Sequence, residues 1–147
     1  MIKKVLLSLF VAIVASTWLS LPAFAQFSVG AMAIDTAFKN EPPLTQADID
    51  KFIKIAPDMI AAATANDTVK ATELLEKAGW TEVRGSYVTA KISNAYAMIM
   101  SPEMAKSMLQ SAGMPEILFP TDAETDLVKR NLNELNAVFG AAGLGDM

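Results

Sequence analysis

Apolar positions along this chain recur at intervals of three and four, and no stretch alternates apolar with polar residues as a half-buried strand would. The clearest run opens at Thr45-Gln46-Ala47-Asp48, where a hydroxyl followed three residues later by an acid is a variant of the capping box. Ile49, Phe52, Ile53, Ala56, Ile60 and Ala63 then fall on one helical face, with Asp50 and Lys54 on the solvated side. Pro57 interrupts this run and is expected to kink or split the helix, because it lacks an N–H and crowds the preceding turn. Asn66-Asp67 closes the segment.

A second helix is predicted from about Thr68 to Ala78, with Val69, Leu74 and Leu75 as its apolar side and Glu73–Lys77 as a surface pair. Gly79 supplies the stop, and Trp80 is expected to fold back onto the core. A third helix starts at Thr81 or Ser86 and reaches Met100, burying Val88, Ile92, Ala95, Tyr96 and Ile99. Ser101-Pro102-Glu103 restarts a fourth, which runs to Ala112 and stops at Gly113. Met114–Pro120, carrying Ile117, Leu118 and Phe119 between two prolines, reads as a plug in the core. The last helix opens with a full capping box, Thr121-Asp122-Ala123-Glu124, and carries a stripe of Leu127, Val128, Leu132, Leu135, Val138 and Phe139 with an Asp126–Arg130 pair. The two capping segments, Thr45–Asp50 and Thr121–Asp126, echo each other, and capping chemistry alone accounts for the likeness.

The expected fold class is therefore all-α: a compact single domain of four to five short helices, kinked by proline and packed orthogonally. It follows an N-terminal leader. Lys3 and Lys4, the apolar run from Val5 to Leu21, Pro22 and the small-x-small site Ala23-Phe24-Ala25 form a secretory signal peptide, with cleavage before Gln26. Residues 26–44 make an N-terminal arm with a short helix around Ala31–Phe38 and a stiff hinge at Pro42-Pro43. Residues 45–140 form the helical domain and 141–147 a flexible glycine-rich tail. The expected destination is the periplasm or the exterior, with no integral membrane segment left after cleavage.

Composition removes whole classes of chemistry. The 147 residues include no histidine and no cysteine, so a Ser-His-Asp triad, a thiol nucleophile, a disulfide framework and the common zinc sites are all excluded. The formal charge of −4, with basic residues dispersed, argues against nucleic-acid partners.

Three groups of residues bear on function. Met98, Met100, Met104, Met108 and Met114 crowd one stretch, and Met100, Met104 and Met108 are spaced four apart. Thioethers suit Cu(I), but methionine also fills cores and builds adaptable apolar surfaces for a peptide or lipid. The carboxylates Glu41, Asp48, Asp50 and Asp58, and again Asp122, Glu124 and Asp126, could work in pairs, yet the helix starts already account for Asp48, Asp122 and Glu124. Arg84, Ser86, Tyr87, Lys91, Ser93, Asn94 and Tyr96 form a polar patch expected to be a solvated face of the third helix, with Tyr87 partly packed; Ser86 and Lys91 lack the S-x-x-K spacing.

No catalytic, cofactor-binding or metal residue is assigned. The expected function is that of a non-enzymatic binding or interaction module with a Met-rich apolar surface over Ile99–Phe119, taking a protein, peptide or lipid partner. Met-based Cu(I) handling is the alternative, and an enzyme relying on carboxylate, Lys or Ser chemistry is a further one.

Overall fold

A computed structural model describes residues 35–111 and 114–141, and these are all-helical, with no strand among the described residues. The leader at 1–25, the first part of the arm, the expected helix end at Ala112 and Gly113, and the tail beyond 141 lie outside them. After a helical turn over residues 35–38, the described end of the short helix expected in the arm, six longer α-helices follow in order: α1 (Gln46–Thr64), α2 (Thr68–Lys77), α3 (Glu82–Met100), α4 (Pro102–Ser111), α5 (Asp122–Arg130) and α6 (Leu132–Ala141), with a 3-10 turn at Glu116–Leu118. No helix among the described residues is long and apolar enough to cross a membrane.

Local chemistry sets most boundaries. Thr45 and Asp48 close a complete capping box on α1, and Thr121 and Glu124 close another on α5. Asp67 caps α2 by accepting from the Lys70 N–H, and Thr81 rather than Ser86 caps α3 through the Arg84 N–H. Helix α1 ends where Asn66 takes a left-handed turn (φ 53°) and the Asp67 N–H reaches back to the Ala62 carbonyl. Helix α2 ends likewise at Gly79 (φ 75°), with the Trp80 N–H on the Leu75 carbonyl. That left-handed conformation is open to glycine at no steric cost.

Several expectations are corrected. Of the kink or split expected at Pro57, the split does not occur: α1 runs on through it, with buried Phe52 and Ala56 before it and Met59 and Ala62 after it. The buried stripe accordingly uses Met59 and Ala62, while Ile53, Ile60 and Ala63 are only partly covered. The last helix is broken in two at Asn131, whose side-chain amide donates to the Leu127 carbonyl and to Gln46 of α1 while its own N–H bonds back to Val128. Val69 is 68% exposed and belongs to no apolar face. Among the described residues the surface pairs Asp50–Lys54, Glu73–Lys77 and Asp126–Arg130 stay open; Asp126 instead meets Lys129 at 3.6 Å.

Helix α3 is the centre of the packing, touching α1, α2, α4, α5 and the 3-10 turn, while α1 also packs on α2 and α6. Phe38, Ile49, Leu75, Val88, Ile92, Leu118, Val128 and Leu135 are sealed from solvent, so every part of the described chain except α4 places a large side chain in the innermost core. The Pro115–Pro120 connector is the plug its sequence suggests, with Leu118 fully buried and Ile117 packed on the core. Phe139 stacks at 4.4 Å on Tyr96 and at 6.0 Å on Phe52, joining α6 to α3 and α1.

Candidate functional site

Helix α4 differs from the rest. It buries only Ala105 and Leu109, and neither belongs to the main core cluster. Its outer side carries Met104, 57% exposed, and Met108, 40% exposed; Met100, at the end of α3, is 47% exposed. These are three of the four large apolar side chains left exposed among the described residues. The spacing of four survives the Ser101-Pro102 junction as exposure of all three. Met98 is half-buried. Met114 turns inward, where its sulfur accepts from the Asn94 side-chain amide at 3.3 Å. The five-methionine cluster is thus divided into an exposed row of three and two that pack.

The polar patch on α3 is not a solvated face. Ser86, Tyr87, Thr89, Lys91, Asn94 and Tyr96 are all at most 4% exposed. Burial of so many polar groups is tolerated because each buried polar side-chain atom among them has a partner. The partners of Lys91, Asn94 and Tyr96 come from segments remote in sequence. Lys91 Nζ donates to Glu124 Oε2 at 2.9 Å and to the Phe119 carbonyl at 2.8 Å, with the ion pair only 5% and 2% exposed. Asn94 donates to the Leu118 carbonyl, and the Tyr96 hydroxyl donates to Asn136. Arg84 pairs with Asp48 at 2.6 Å and with Glu41 at 3.4 Å, and donates to the carbonyls of Pro42 and Pro43.

The two capping acids therefore each serve two elements. Asp48 holds the start of α1, takes Arg84 from α3 and accepts from the Trp80 indole at 3.3 Å. Glu124 holds the start of α5, takes Lys91 from α3 and accepts from the Leu44 N–H at 3.1 Å. Tyr87 lies between the cations, with Arg84 5.4 Å and Lys91 5.5 Å from its ring centre. Arg84 and Lys91 are seven residues apart, two helical turns, which puts both on one side of α3.

This setting fixes the ionisation of both acids. Burial alone would push the Asp48 carboxyl up, but hydrogen bonds from Thr45 and Arg84 and the Arg84 charge outweigh it and hold the group below the ordinary carboxylate range. Burial pushes Glu124 up in the same way and is outweighed by the Thr121 N–H, Lys91 and the Leu44 N–H. The Tyr87 hydroxyl is raised by burial and by the Glu124 charge, and Tyr96 by burial. Both acids are held charged by fixed donors, which suits a clamp between elements. Asp50, Asp58, Asp122 and Asp126 stay exposed, and no group of three or more acids converges on a point that could hold a metal among the described residues.

Sequence reasoning placed the capping acids and the exposed methionine row as candidates but missed the pairing of those acids with Arg84 and Lys91. A signal was present: two T-x-x-[D/E] boxes matched by two cations two turns apart. No family model, curated protein or solved structure matches this chain.

Proposed function

We propose that this protein is an exported, non-enzymatic binding module that presents an apolar methionine row to an apolar partner. The exposure of Met100 at the end of α3 together with Met104 and Met108 on α4, a helix held by two buried side chains, is the observation that carries this reading. Unbranched thioether side chains adapt to irregular apolar surfaces, so such a row suits an apolar peptide or protein segment or an acyl chain. Export rests on the leader features at residues 1–25, and steep crossing of short helices around α3 completes the proposed architecture. The engagement of Asp48 and Glu124 by cations and helix starts favours binding over acid–base catalysis.

The test is native mass spectrometry on protein recovered from its own compartment, comparing the wild type with Met104→Lys/Met108→Lys. The expected outcome is a bound mass in the wild type that is lost in a variant with an unchanged circular dichroism spectrum. A variant that unfolds makes these residues core and ends the proposal, as does wild-type protein recovered bare.

The same exposure favours a second reading, Cu(I) handling, because it leaves soft sulfur ligands reachable. Anaerobic titration against a Cu(I) chelator tests it, and affinity no better than micromolar removes it.

A further inference from the structure

Residues 38–44 cross α3: Phe38 ends a helical turn, its carbonyl accepts from the Glu41 N–H, and residues 41–44 belong to no helix or strand. Two side chains fasten them. Phe38 is fully buried, edge-on to the Tyr87 ring at 5.7 Å, and Leu44 is 7% exposed. Between these, Lys39, Asn40, Pro42 and Pro43 face solvent. What α3 and α5 read of the segment is mostly main chain: Arg84 donates to the carbonyls of two successive prolines, and Glu124 accepts from the next N–H, that of Leu44. One side chain is read as well, the Glu41 carboxylate on Arg84.

This is the chemistry by which grooves hold extended proline-rich peptides. Proline fixes φ and restricts the residue before it, so a Pro-Pro pair stays extended with its carbonyls free for outside donors. A flat aromatic beside those donors then takes an apolar side chain. The segment also has the character of a unit that opens before the rest. It has two apolar fasteners and a mostly exposed surface, against a helix α3 buried on almost every side.

We propose that residues 38–44 are the resident occupant of a peptide-binding groove formed by Arg84, Tyr87 and Glu124. A segment of the same chemistry, aromatic-x-x-acid-Pro-Pro-apolar, with a turn from the aromatic to the acid, takes that place in trans when the strap lifts. The strap is then autoinhibitory: its own occupancy sets how readily an outside segment enters. This groove involves none of the methionine row, so the two proposals stand or fall separately.

The experiment uses the full chain and a fluorescein-labelled synthetic peptide of residues 35–44. Pro42→Gly/Pro43→Gly loosens the strap while changing only exposed side chains and keeping both carbonyls. Fluorescence anisotropy is expected to show the variant binding the peptide at least tenfold more tightly than the wild type. A peptide carrying Phe38→Ala is expected to bind the same variant at least tenfold more weakly. Hydrogen exchange on the wild type is expected to release the Leu44 and Glu41 amides well before those of α3. Equal binding by both proteins, binding by neither, or indifference to Phe38→Ala would overturn the proposal. So would strap amides that exchange only with global unfolding, a readout that holds even if the glycine variant does not fold.

Discussion

Replacing Lys91 with methionine tests the central claim that a buried ion pair joins α3 to α5. The methionine keeps the apolar stem and volume but removes the charge, stranding Glu124 in a site where its side chain is 2% exposed. Breaking a buried pair from one side costs about 3–5 kcal/mol. The lower end applies here, since Glu124 keeps two backbone donors, the Thr121 N–H at 2.9 Å and the Leu44 N–H at 3.1 Å. The Phe119 carbonyl also loses a donor. A loss of about 3 kcal/mol corresponds to a fall in Tm of roughly 10–20 °C for a domain of this size. Urea unfolding followed by circular dichroism at pH 7 measures it directly. The pH dependence supplies a second check. With Lys91 gone, burial of Glu124 is less opposed and its pKa rises relative to the wild type, so the deficit should shrink as acid neutralises the stranded carboxylate. Lys91→Met/Glu124→Gln, which removes both charges, should regain most of the loss at pH 7. A deficit under about 1 kcal/mol, or one unchanged between pH 7 and pH 4, would refute the reasoning and place the pair in water.

Two more outcomes follow from the packing and the charges. Gly85→Ala should destabilise by about 1–2 kcal/mol in the same assay, because the new methyl would come within 2.6 Å of a Leu75 methyl that is itself buried, which outweighs the helix-propensity gain; Leu75→Val in the same chain should recover part of it, and a net gain from Gly85→Ala alone would show that α2 and α3 can part freely. Asp48 and Glu124 are depressed in the folded state, so their stabilisation is complete above their ordinary values of 3.8 and 4.5 and is lost as the pH falls through the lower folded values; acid titration monitored by circular dichroism should hold flat to the carboxylate range and fall below it, and a transition centred above pH 5 would contradict this.

The helix starts were legible because capping is local: Thr45 with Asp48 and Thr121 with Glu124 carry the whole motif within four residues. The stop at Gly79 and the plug at Leu118 were legible for the same reason, one from backbone freedom and the other from an apolar run between prolines. The interior of α3 was not. Its polar side chains are spread around the helix, and periodicity reads such a pattern as solvated. Lys91 becomes a core residue only because Glu124 and the Phe119 carbonyl reach it from 33 and 28 positions away. The break at Asn131 was hidden in the same manner, since the amide that competes with the helix ladder is held partly by Gln46, 85 positions earlier. The methionine row was legible as spacing and ambiguous as burial, because a period of four describes a core face and an outer face equally well.

One acid at the head of α1 and one at the head of α5 each answer to a neighbour three residues back and to a cation far along the chain. A random change at Asp48 or Glu124 therefore injures two levels of organisation together, whereas a change at Thr45 or Thr121 injures one. Saturation mutagenesis would reveal this as an asymmetry inside a single four-residue motif: the hydroxyl admits substitutes, the acid almost none, and relief for the acid comes only when its distant cation is exchanged with it.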